Sequence, residues 1–400
     1  MSLYYLLEYV RKEHDVVVYF ISNGPAVEFY RDAGISCIVD TRLGKLPHCT
    51  IEHQSLNPFS AKFYHDLKMY ARHYLKLLPT YSAMRQILAM EKPDIVHLNS
   101  TVLVAEGMAV KSMKIPLVWH LRDFLEYGCF RFRHSFIRKV ISNCSDVTIA
   151  LCESELKRVI PVRHGVIVPN FVNFEKFDRL KVKPVNLRRL LGVSECTKII
   201  AILGWHTPAK GAMTLLKAFS KIASEFPDVV LVLFGEGAIE PKSSGVKAFL
   251  RILTGKKSLR MELQSVIDKY DLSNRVFFPG VIFDIAGYIA EVDIVAAPFT
   301  EPHFARPILE AGAMKTLVVA SDIDGTREMV LNGSAGYLAR PNDVEHWAAV
   351  LSRALSDDNT AKVSAMLENT KCTYNADVNA QTTIAQYSWI LERNNDGTRI

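Results

Sequence analysis

The chain has 400 residues, 49% hydrophobic and 22% charged, with a formal net charge of +6. This length exceeds one hydrophobic core and predicts two domains of ordinary size. There is no uninterrupted apolar run of 18 residues and no basic-then-apolar amino terminus, so neither a spanning helix nor a signal peptide is indicated. The seven cysteines are odd in number and lack C-x-x-C spacing, which argues against a disulfide framework and a zinc site. We therefore expect a cytoplasmic protein with reduced thiols.

Patterns typical of strands and helices alternate along the first 175 residues and predict a doubly wound α/β domain. The predicted strands are residues 16–20, 36–39, 94–98, 117–119, 146–150 and 166–170. The predicted helices are residues 25–33, 57–90, 102–111 and 153–158. His120 and Asp123 follow the strand over 117–119. Because ligands of open α/β sheets bind at the carboxyl ends of strands, both are candidate site residues. The alternative is that the two side chains merely satisfy each other or a loop.

Basic residues are concentrated in the first part of the chain, with a net charge of +5 for residues 1–180 and +1 for residues 181–400. Residues 130–141 mix aromatic and aliphatic side chains with cations, as a membrane-surface helix does. A solvated face with snorkelling arginines is the alternative. No recognition-module signature accompanies the charge, so nucleic acid is not an expected partner. We expect a cytoplasmic protein that can contact the inner face of the membrane through residues 130–141.

A second series of strands and helices follows residues 172–184, which have few periodic apolar positions and predict a linker. The predicted strands are residues 198–203, 229–234, 275–278, 292–298 and 317–320. The predicted helices are residues 212–225, 259–269, 285–290, 344–355 and 380–391. We therefore predict an amino-terminal domain over 1–175, a carboxyl-terminal domain over 185–375, and a last helix over 376–400 that packs back on the first domain.

The most informative run is residues 301–311, which set two carboxylates around a helix start directly after a buried strand. Pro307 is predicted to be the first helical residue, where its missing N–H has no internal partner in any case. Free N–H groups at this helix start would face the crevice at the end of the strand, where anionic ligands bind. Glu310 is predicted in the first turn. An ordinary Glu that stabilises the helix dipole is the alternative.

A glycine-flanked loop over residues 204–211 places Lys210 directly before a helix start. The loop is not a Walker motif, because no Gly-Lys-Ser or Gly-Lys-Thr follows. A cation beside unpaired N–H groups suits a diphosphate, and a surface lysine without a ligand is the alternative. Gly235 begins a Gly-Glu-Gly run that lacks the third glycine of a dinucleotide fingerprint, so nicotinamide binding is not expected.

In order and spacing, these elements resemble the group 1 (family 4) retaining glycosyltransferases of the GT-B fold, from about Val16 to the carboxyl terminus. The residues that carry the resemblance are 203–205 with 210–211, 234–237, 276–280, 301–311 and 325–328, and more weakly 116–120 and 168–173. The resemblance implies an α/β protein of two doubly wound, Rossmann-like domains that face each other across a cleft, with a nucleotide-sugar donor bound mainly by the second domain.

The resemblance also implies roles for individual residues. Glu310 would bond the ribose hydroxyls, Lys210 the diphosphate, and Glu301 the hydroxyls of the donor sugar. His120 would reach the donor sugar from the first domain, with Asp123 on the acceptor side. The implied catalytic residues are His120, Glu301 and Asp123. The implied donor-binding residues are Gly204, Trp205, Lys210, Gly235, Phe278, Val281, His303, Phe304, Ala305, Arg306, Pro307 and Glu310.

Glycosyl transfer passes through an oxocarbenium-like state while negative charge grows on the departing diphosphate, so fixed positive groups there lower the barrier. The resemblance implies transfer of a hexose-type sugar with retained configuration to a glycan or lipid-linked acceptor. It implies no cofactor and no metal. The alternative metal site is the Asp-x-Asp triplet at Asp322 and Asp324, whose position matches a family loop that is not a metal site.

Three departures from the family pattern stand out. Eight residues rather than seven separate Glu301 from Glu310, which predicts a bulge at residues 302–303 and allows His303 to point into the site. Trp205 stands where the family usually has an arginine, and Arg306 is a candidate to replace that cation. The first strand of the family is missing before residues 1–10, which are already helical in character. We therefore expect a full-length form that begins about 15 to 30 residues earlier.

Two other functions remain open from the sequence. One is a non-catalytic nucleotide-sugar or glycan-binding protein with a decayed or truncated site, which the missing first strand and Trp205 favour. The other is a different GT-B enzyme such as a sugar-nucleotide epimerase, which requires more acid and base groups than the sequence offers.

Overall fold

The computed structural model describes residues 2–46, 64, 68, 71–127, 131–204, 207–235, 258–282 and 284–395. The chain divides into two compact units. Unit 1 contains Met1–Phe171 and Asn375–Ile400, and unit 2 contains Val172–Tyr374. The chain therefore leaves unit 1 once and returns to it for the last helix.

Unit 1 contains two separate parallel sheets among the residues that the structure describes. Its strands are β1 (Val17–Phe20), β2 (Ser36–Val39), β3 (Val96–Leu98), β4 (Leu117–His120), β5 (Val147–Ala150) and β6 (Gly165–Ile167). Strands β1 and β2 pair with each other, and the other four form a sheet in the order β3-β4-β5-β6. The two middle strands β4 and β5 are buried along their whole length, as expected for strands covered on both faces. The strand expected ahead of β1 stays a prediction.

Helices cover both faces of the four-stranded sheet. The helices of unit 1 are α1 (Ser2–Val10), α2 (Pro25–Asp32), α3 (Leu77–Glu91), α4 (Val104–Ser112), α5 (Phe132–Cys144), α6 (Glu153–Lys157) and α15 (Ala376–Asn395). Apolar residues of α3, α4 and α5 share one core with Trp119 of β4. Gly107 allows this close approach, because a Cβ at that position would lie 2.2 Å from the Trp119 ring. On the other face, α1 and α15 pack against Val118 and Ile149.

Glu106 of α4 carries a carboxyl group that points into the core of unit 1. Glu106 is only 3% exposed, and burial raises its pKa from the ordinary value of 4.5 to about 8. The backbone N–H groups of Glu106 and Gly44 oppose this shift to a smaller extent. The side chain is therefore protonated in the folded protein at neutral pH and ionised in the unfolded chain.

Because of this difference, we expect the stability of the wild type to fall as the pH rises. Glu106→Gln should remove this contribution to the pH dependence. Below pH 4.5 both states are protonated, and between pH 4.5 and 8 folding loses about 1.4 kcal/mol per pH unit. Urea titrations at pH 5 and pH 7.5 should therefore show the wild type losing about 3 kcal/mol relative to Glu106→Gln. The comparison with the variant cancels other titrating groups such as Glu155. Parallel pH profiles for the two proteins would contradict the assignment.

The described residues of unit 2 form one six-stranded parallel sheet. Its strands are β7 (Lys198–Leu203), β8 (Val229–Phe234), β9 (Val276–Gly280), β10 (Ile294–Ala297), β11 (Leu317–Ser321) and β12 (Tyr337–Ala339). The strand order is β12-β11-β10-β7-β8-β9. The chain direction across the sheet therefore reverses between β7 and β10, which makes the carboxyl ends of these two strands the topological switch point. Strand β8 is a continuous apolar run and is fully buried.

The helices of unit 2 are α7 (Leu187–Leu191), α8 (Ala212–Ile222), α9 (Leu259–Lys269), α10 (Ala286–Ile289), α11 (Arg306–Ala313), α12 (Thr326–Met329), α13 (Val344–Ser356) and α14 (Thr360–Thr373). Helices α8 and α13 pack on one face of the sheet around Phe219 and Trp347. The sequence analysis did not predict β12, α7 or α14. Helix α14 buries only Met366 and Thr370, so its apolar spacing is too sparse to predict a helix.

Candidate functional site

The carboxyl ends of β7 and β10 form the candidate site of unit 2. After β7 the chain passes Gly204 and a short 3₁₀ turn, Pro208–Lys210, before α8 begins. The backbone N–H of Thr300, after β10, donates to the carbonyl of Ala209 over 2.9 Å. This bond joins the two loops at the switch point, which is the position where open α/β sheets bind ligands.

Lys210 lies in a crevice between these loops. Leu203, Pro298 and Phe299 are among the residues that line it. The Lys210 Nζ atom lies 5.4 Å from the centre of the Phe299 ring, and a Cβ on Gly204 would lie 3.0 Å from the same nitrogen. Burial lowers the pKa of Lys210, and the nearby Glu310 carboxylate raises it. A half-buried cation beside apolar side chains acts more strongly on a bound anion than one in water.

Glu310 shares this environment from α11. Burial raises its pKa, and the charges of Arg306, Lys176 and Lys210 lower it. The Arg306 Nε atom lies 3.7 Å from Glu310 Oε1. Arg306, the cation proposed to replace the family arginine, is therefore paired with the predicted ribose-binding carboxylate.

Two details of α11 correct the sequence analysis. The helix begins at Arg306, and Pro307 is its second residue rather than its first. Both positions tolerate proline, because neither N–H has an intrahelical partner. Glu310 is the fifth residue of the helix and lies beyond the first turn, where no acidic residue is found. It therefore lies one residue farther from the helix start than expected, within the influence of the Lys210 charge.

The loop between β10 and α11 is held by its backbone. The His303 N–H donates to the carbonyl of Asp324 over 3.1 Å, and the same residue forms an isolated parallel bridge with Gly325. The His303 ring is exposed and stacks on Phe299 with 4.2 Å between ring centres. The His303 imidazole therefore stacks on Phe299, the same ring that lies near Lys210.

Other predicted residues of this loop are less accessible. Glu301 is half-buried, and Ala305 is buried directly before the first residue of α11. Phe304 is buried, and its ring contacts Tyr374 at 6.0 Å. Asp322, part of the Asp-x-Asp triplet, accepts a hydrogen bond from Arg327.

Strands β8 and β9 end beside each other at the predicted base-binding position. The Gly235 N–H donates to the carbonyl of Gly280 over 2.7 Å. Phe278 is half-buried, and Val281 is exposed. The sequence analysis missed Arg260, whose guanidinium lies 3.5 Å from the centre of the Phe278 ring. Trp205 lies outside the described residues.

A second polar cluster lies at the carboxyl ends of β3 and β4 in unit 1. His120 is buried, and its two ring nitrogens have no hydrogen-bond partner among the residues that the structure describes. Its ring centre lies 5.3 Å from that of His97, whose Nδ1 atom lies 2.7 Å from the Tyr387 hydroxyl. Burial, with the charges of Arg122 and His97, holds the pKa of His120 well below its ordinary value. The imidazole is therefore neutral and can both donate and accept.

Arg122 ties this cluster to the neighbouring loops. Its Nε atom donates to Asn99 Oδ1 over 2.8 Å, and its Nη1 atom donates to Asn170 Oδ1. Glu155 is buried nearby and accepts from the Leu151 N–H over 2.6 Å. Burial raises the pKa of Glu155 from 4.5 to about 7, and Arg122 opposes that shift.

Sequence reasoning missed Arg122, Asn99, Asn170 and Glu155, although each follows or lies near a predicted strand end. Asp123 is half-buried, and its carbonyl accepts from the Thr101 hydroxyl over 2.9 Å.

Across the described part of the chain, no helix is both long and apolar enough to cross a bilayer.

The whole fold is shared with a solved structure. The Anabaena Alr3699/HepE protein, crystallised with UDP and glucose, superposes with a TM-score of 0.72 at 20% sequence identity, covering 97% of this chain and 95% of that one. Two doubly wound parallel units of this kind define a protein of the GT-B fold. Two family models match the sequence, Glycosyltransferase Family 4 over residues 1–176 and Glycosyl transferases group 1 over residues 186–371. The chain belongs to the group 1, family 4 glycosyltransferases.

Curated relatives match at lower coverage. The D-inositol 3-phosphate glycosyltransferase of Corynebacterium urealyticum is 28% identical over 231 residues, which is 55% of this chain and 51% of that protein. The phosphatidyl-myo-inositol mannosyltransferase of Mycolicibacterium smegmatis is 30% identical over 280 residues, 68% of this chain and 62% of that protein. The matches thus span between half and two thirds of these relatives' length.

Proposed function

We propose that this chain is a glycosyltransferase that moves a hexose-type sugar from a nucleotide-sugar donor to a glycan or lipid-linked acceptor. The observation that carries the proposal is the shared environment of Lys210 and Glu310 at the switch point of unit 2. A cation for the diphosphate and a carboxylate for the ribose are the two groups that a nucleotide-sugar needs there. The relatives support the proposal, since both are named for transfer of a sugar unit to an inositol-containing acceptor.

In the proposed reaction, the bond between the sugar and the donor diphosphate breaks, and the acceptor hydroxyl oxygen forms the new glycosidic bond with retained configuration while its proton passes to the departing diphosphate. Lys210 stabilises the charge that develops on the departing diphosphate, and no metal ion is required. Glu301 bonds hydroxyls of the donor sugar. The neutral His120 of unit 1 hydrogen-bonds the donor sugar, and Asp123 serves the acceptor. An anomeric assignment of the product by NMR, with and without EDTA, tests retention and metal independence.

Donor binding is the first test of this function. We expect calorimetric titration with UDP-, GDP-, dTDP- and ADP-sugars to show binding of one nucleotide class, weakened at least about tenfold in Glu310→Ala because two ribose hydrogen bonds to a charged group are lost. Glu345→Ala is the matched control, because Glu345 is an exposed carboxylate of the same unit.

Three results would count against the proposal. Folded protein that binds none of the four nucleotide classes would exclude a nucleotide-sugar enzyme. Binding without transfer or hydrolysis of the donor would instead support the non-catalytic alternative. Conversion of the donor to another free nucleotide-sugar would identify an epimerase.

A further inference from the structure

The first turns of α3 and α5 in unit 1 expose large apolar side chains. Leu75, two residues before α3, and Leu78, in its first turn, are 77% and 79% exposed, and Phe132, the first residue of α5, is 78% exposed. The ring of Tyr74 contacts that of Phe136 at 6.0 Å, which joins the two helix starts into one surface. Isolated exposed leucines are ordinary, but three large apolar side chains on adjoining turns form a patch.

The two segments that carry this patch contain cations and no carboxylates. Residues 71–90 and 131–144 together contain seven Lys and Arg residues and no Asp or Glu. Lys76, Arg131, Arg138 and Lys139 are all exposed. We call the surface formed by these four cations, Leu75, Leu78 and Phe132 the basic apolar surface. An apolar strip flanked by cations fits an anionic bilayer, where the apolar side chains leave water and the cations meet phosphate headgroups.

The position of the surface in the fold is also informative. Helices α3 and α5 precede the parallel strands β3 and β5, so both begin at the carboxyl edge of the sheet. His120, the last residue of β4, lies at that same edge. A membrane that covers the basic apolar surface would therefore lie at the edge of unit 1 that carries the polar cluster.

We propose that the basic apolar surface docks onto an anionic lipid bilayer, with Leu75, Leu78 and Phe132 inserted at the boundary between headgroups and acyl chains. This assigns the membrane contact to two helix starts rather than to residues 130–141 alone. Phe130 lies outside the described residues. The docking itself does not depend on the proposed function. Its consequence does rest on the proposed function: a docked transferase would act on an acceptor carried by a lipid.

Vesicle sedimentation tests the docking directly. The full chain should sediment with phosphatidylcholine vesicles that contain phosphatidylglycerol, and more weakly as salt is raised or as phosphatidylglycerol is omitted. The L75S/L78S/F132S variant should bind at least about tenfold more weakly because apolar burial is lost. The K76Q/K139Q variant should bind at least about tenfold more weakly than the wild type, and its binding should depend less on the salt concentration.

Met90→Ser is the matched control. Met90 is 68% exposed near the end of α3, about 18 Å along the helix from Leu78, at the opposite edge of the sheet. The control should bind like the wild type, and all variants should keep the wild-type midpoint of thermal unfolding, because the changed side chains are exposed.

The proposal fails if the wild type does not sediment with anionic vesicles, or if L75S/L78S/F132S sediments as the wild type does. A further contrary result would be a wild type that does not bind vesicles and elutes as an oligomer in gel filtration, together with an L75S/L78S/F132S variant that elutes as a monomer. The surface would then be a contact between copies of the chain. Vesicle binding without donor binding would contradict the proposed function and leave the docking surface intact.

Discussion

Lys210→Met is expected to lower kcat/KM for the donor about 100- to 1000-fold. The substitution keeps the apolar stem in the crevice beside Phe299 and removes only the cation. Because the charge on the departing diphosphate grows as the reaction proceeds, kcat should fall more than KM rises. Steady-state kinetics with the donor class found by titration measures both.

The same variant has a second readout that a purely structural role would not give. Lys210 is one of the cations that lower the pKa of Glu310 against the effect of burial. Removal of Lys210 should therefore raise the pKa of Glu310. As the pH is lowered, Glu310 should then become protonated at a higher pH than in the wild type, and donor binding should weaken at that higher pH. Lys217→Met, an exposed lysine of α8, is the control and should leave kinetics and pH profile unchanged. Unchanged kcat in Lys210→Met would remove Lys210 from the proposed mechanism.

Gly211→Ala is expected to lower the free energy of unfolding by about 3 kcal/mol. Gly211 has a φ of +69° at the start of α8, and a Cβ there would lie 1.7 Å from the carbonyl oxygen of Pro298. The new methyl group therefore meets backbone rather than a movable side chain. It would also push apart the loops that follow β7 and β10. Urea unfolding measures the loss, and donor titration of the remaining folded protein should show weakened binding.

Gly192→Ala separates the two causes. Gly192 has a φ of +70°, close to that of Gly211, but no atom lies within 4 Å of the position its Cβ would take. This control should lose only the cost of the left-handed backbone, about 1 kcal/mol, and should keep donor binding. If both variants lost the same free energy of unfolding, the contact with Pro298 would make no contribution to the loss in Gly211→Ala.

Much of unit 2 could be predicted from sequence because its strands are buried on both faces. Runs such as Val229–Phe234 are continuously apolar, and the helices between them have regular apolar spacing. The first strand pair of unit 1 is also where it was expected. Strand β12 has only three residues, too few for a pattern, and α14 packs with few large side chains. These elements depend on tertiary contacts that the sequence does not reveal.

The candidate site divides in the same way. Lys210 and Glu310 follow strand ends and could be predicted from a local pattern. The one-residue difference in the start of α11 arises because proline is tolerated at either of the first two helical positions. The cluster around His120 could not be predicted in full, since His97 lies within a strand and bonds Tyr387, 290 residues along the chain.

The return of the chain to unit 1 sets an order for folding during synthesis. Unit 2 is one continuous stretch, Val172–Tyr374, and all of it is synthesised before α15. The face of the unit 1 sheet that carries Val118 and Ile149 is covered in part by Ala380, Ile384 and Ile390 of that last helix. Unit 1, although translated earlier, therefore keeps part of this apolar face open until α15 has been made. A chain that stops just after Tyr374 should therefore lose more stability in unit 1 than in unit 2, although the new terminus lies in unit 2.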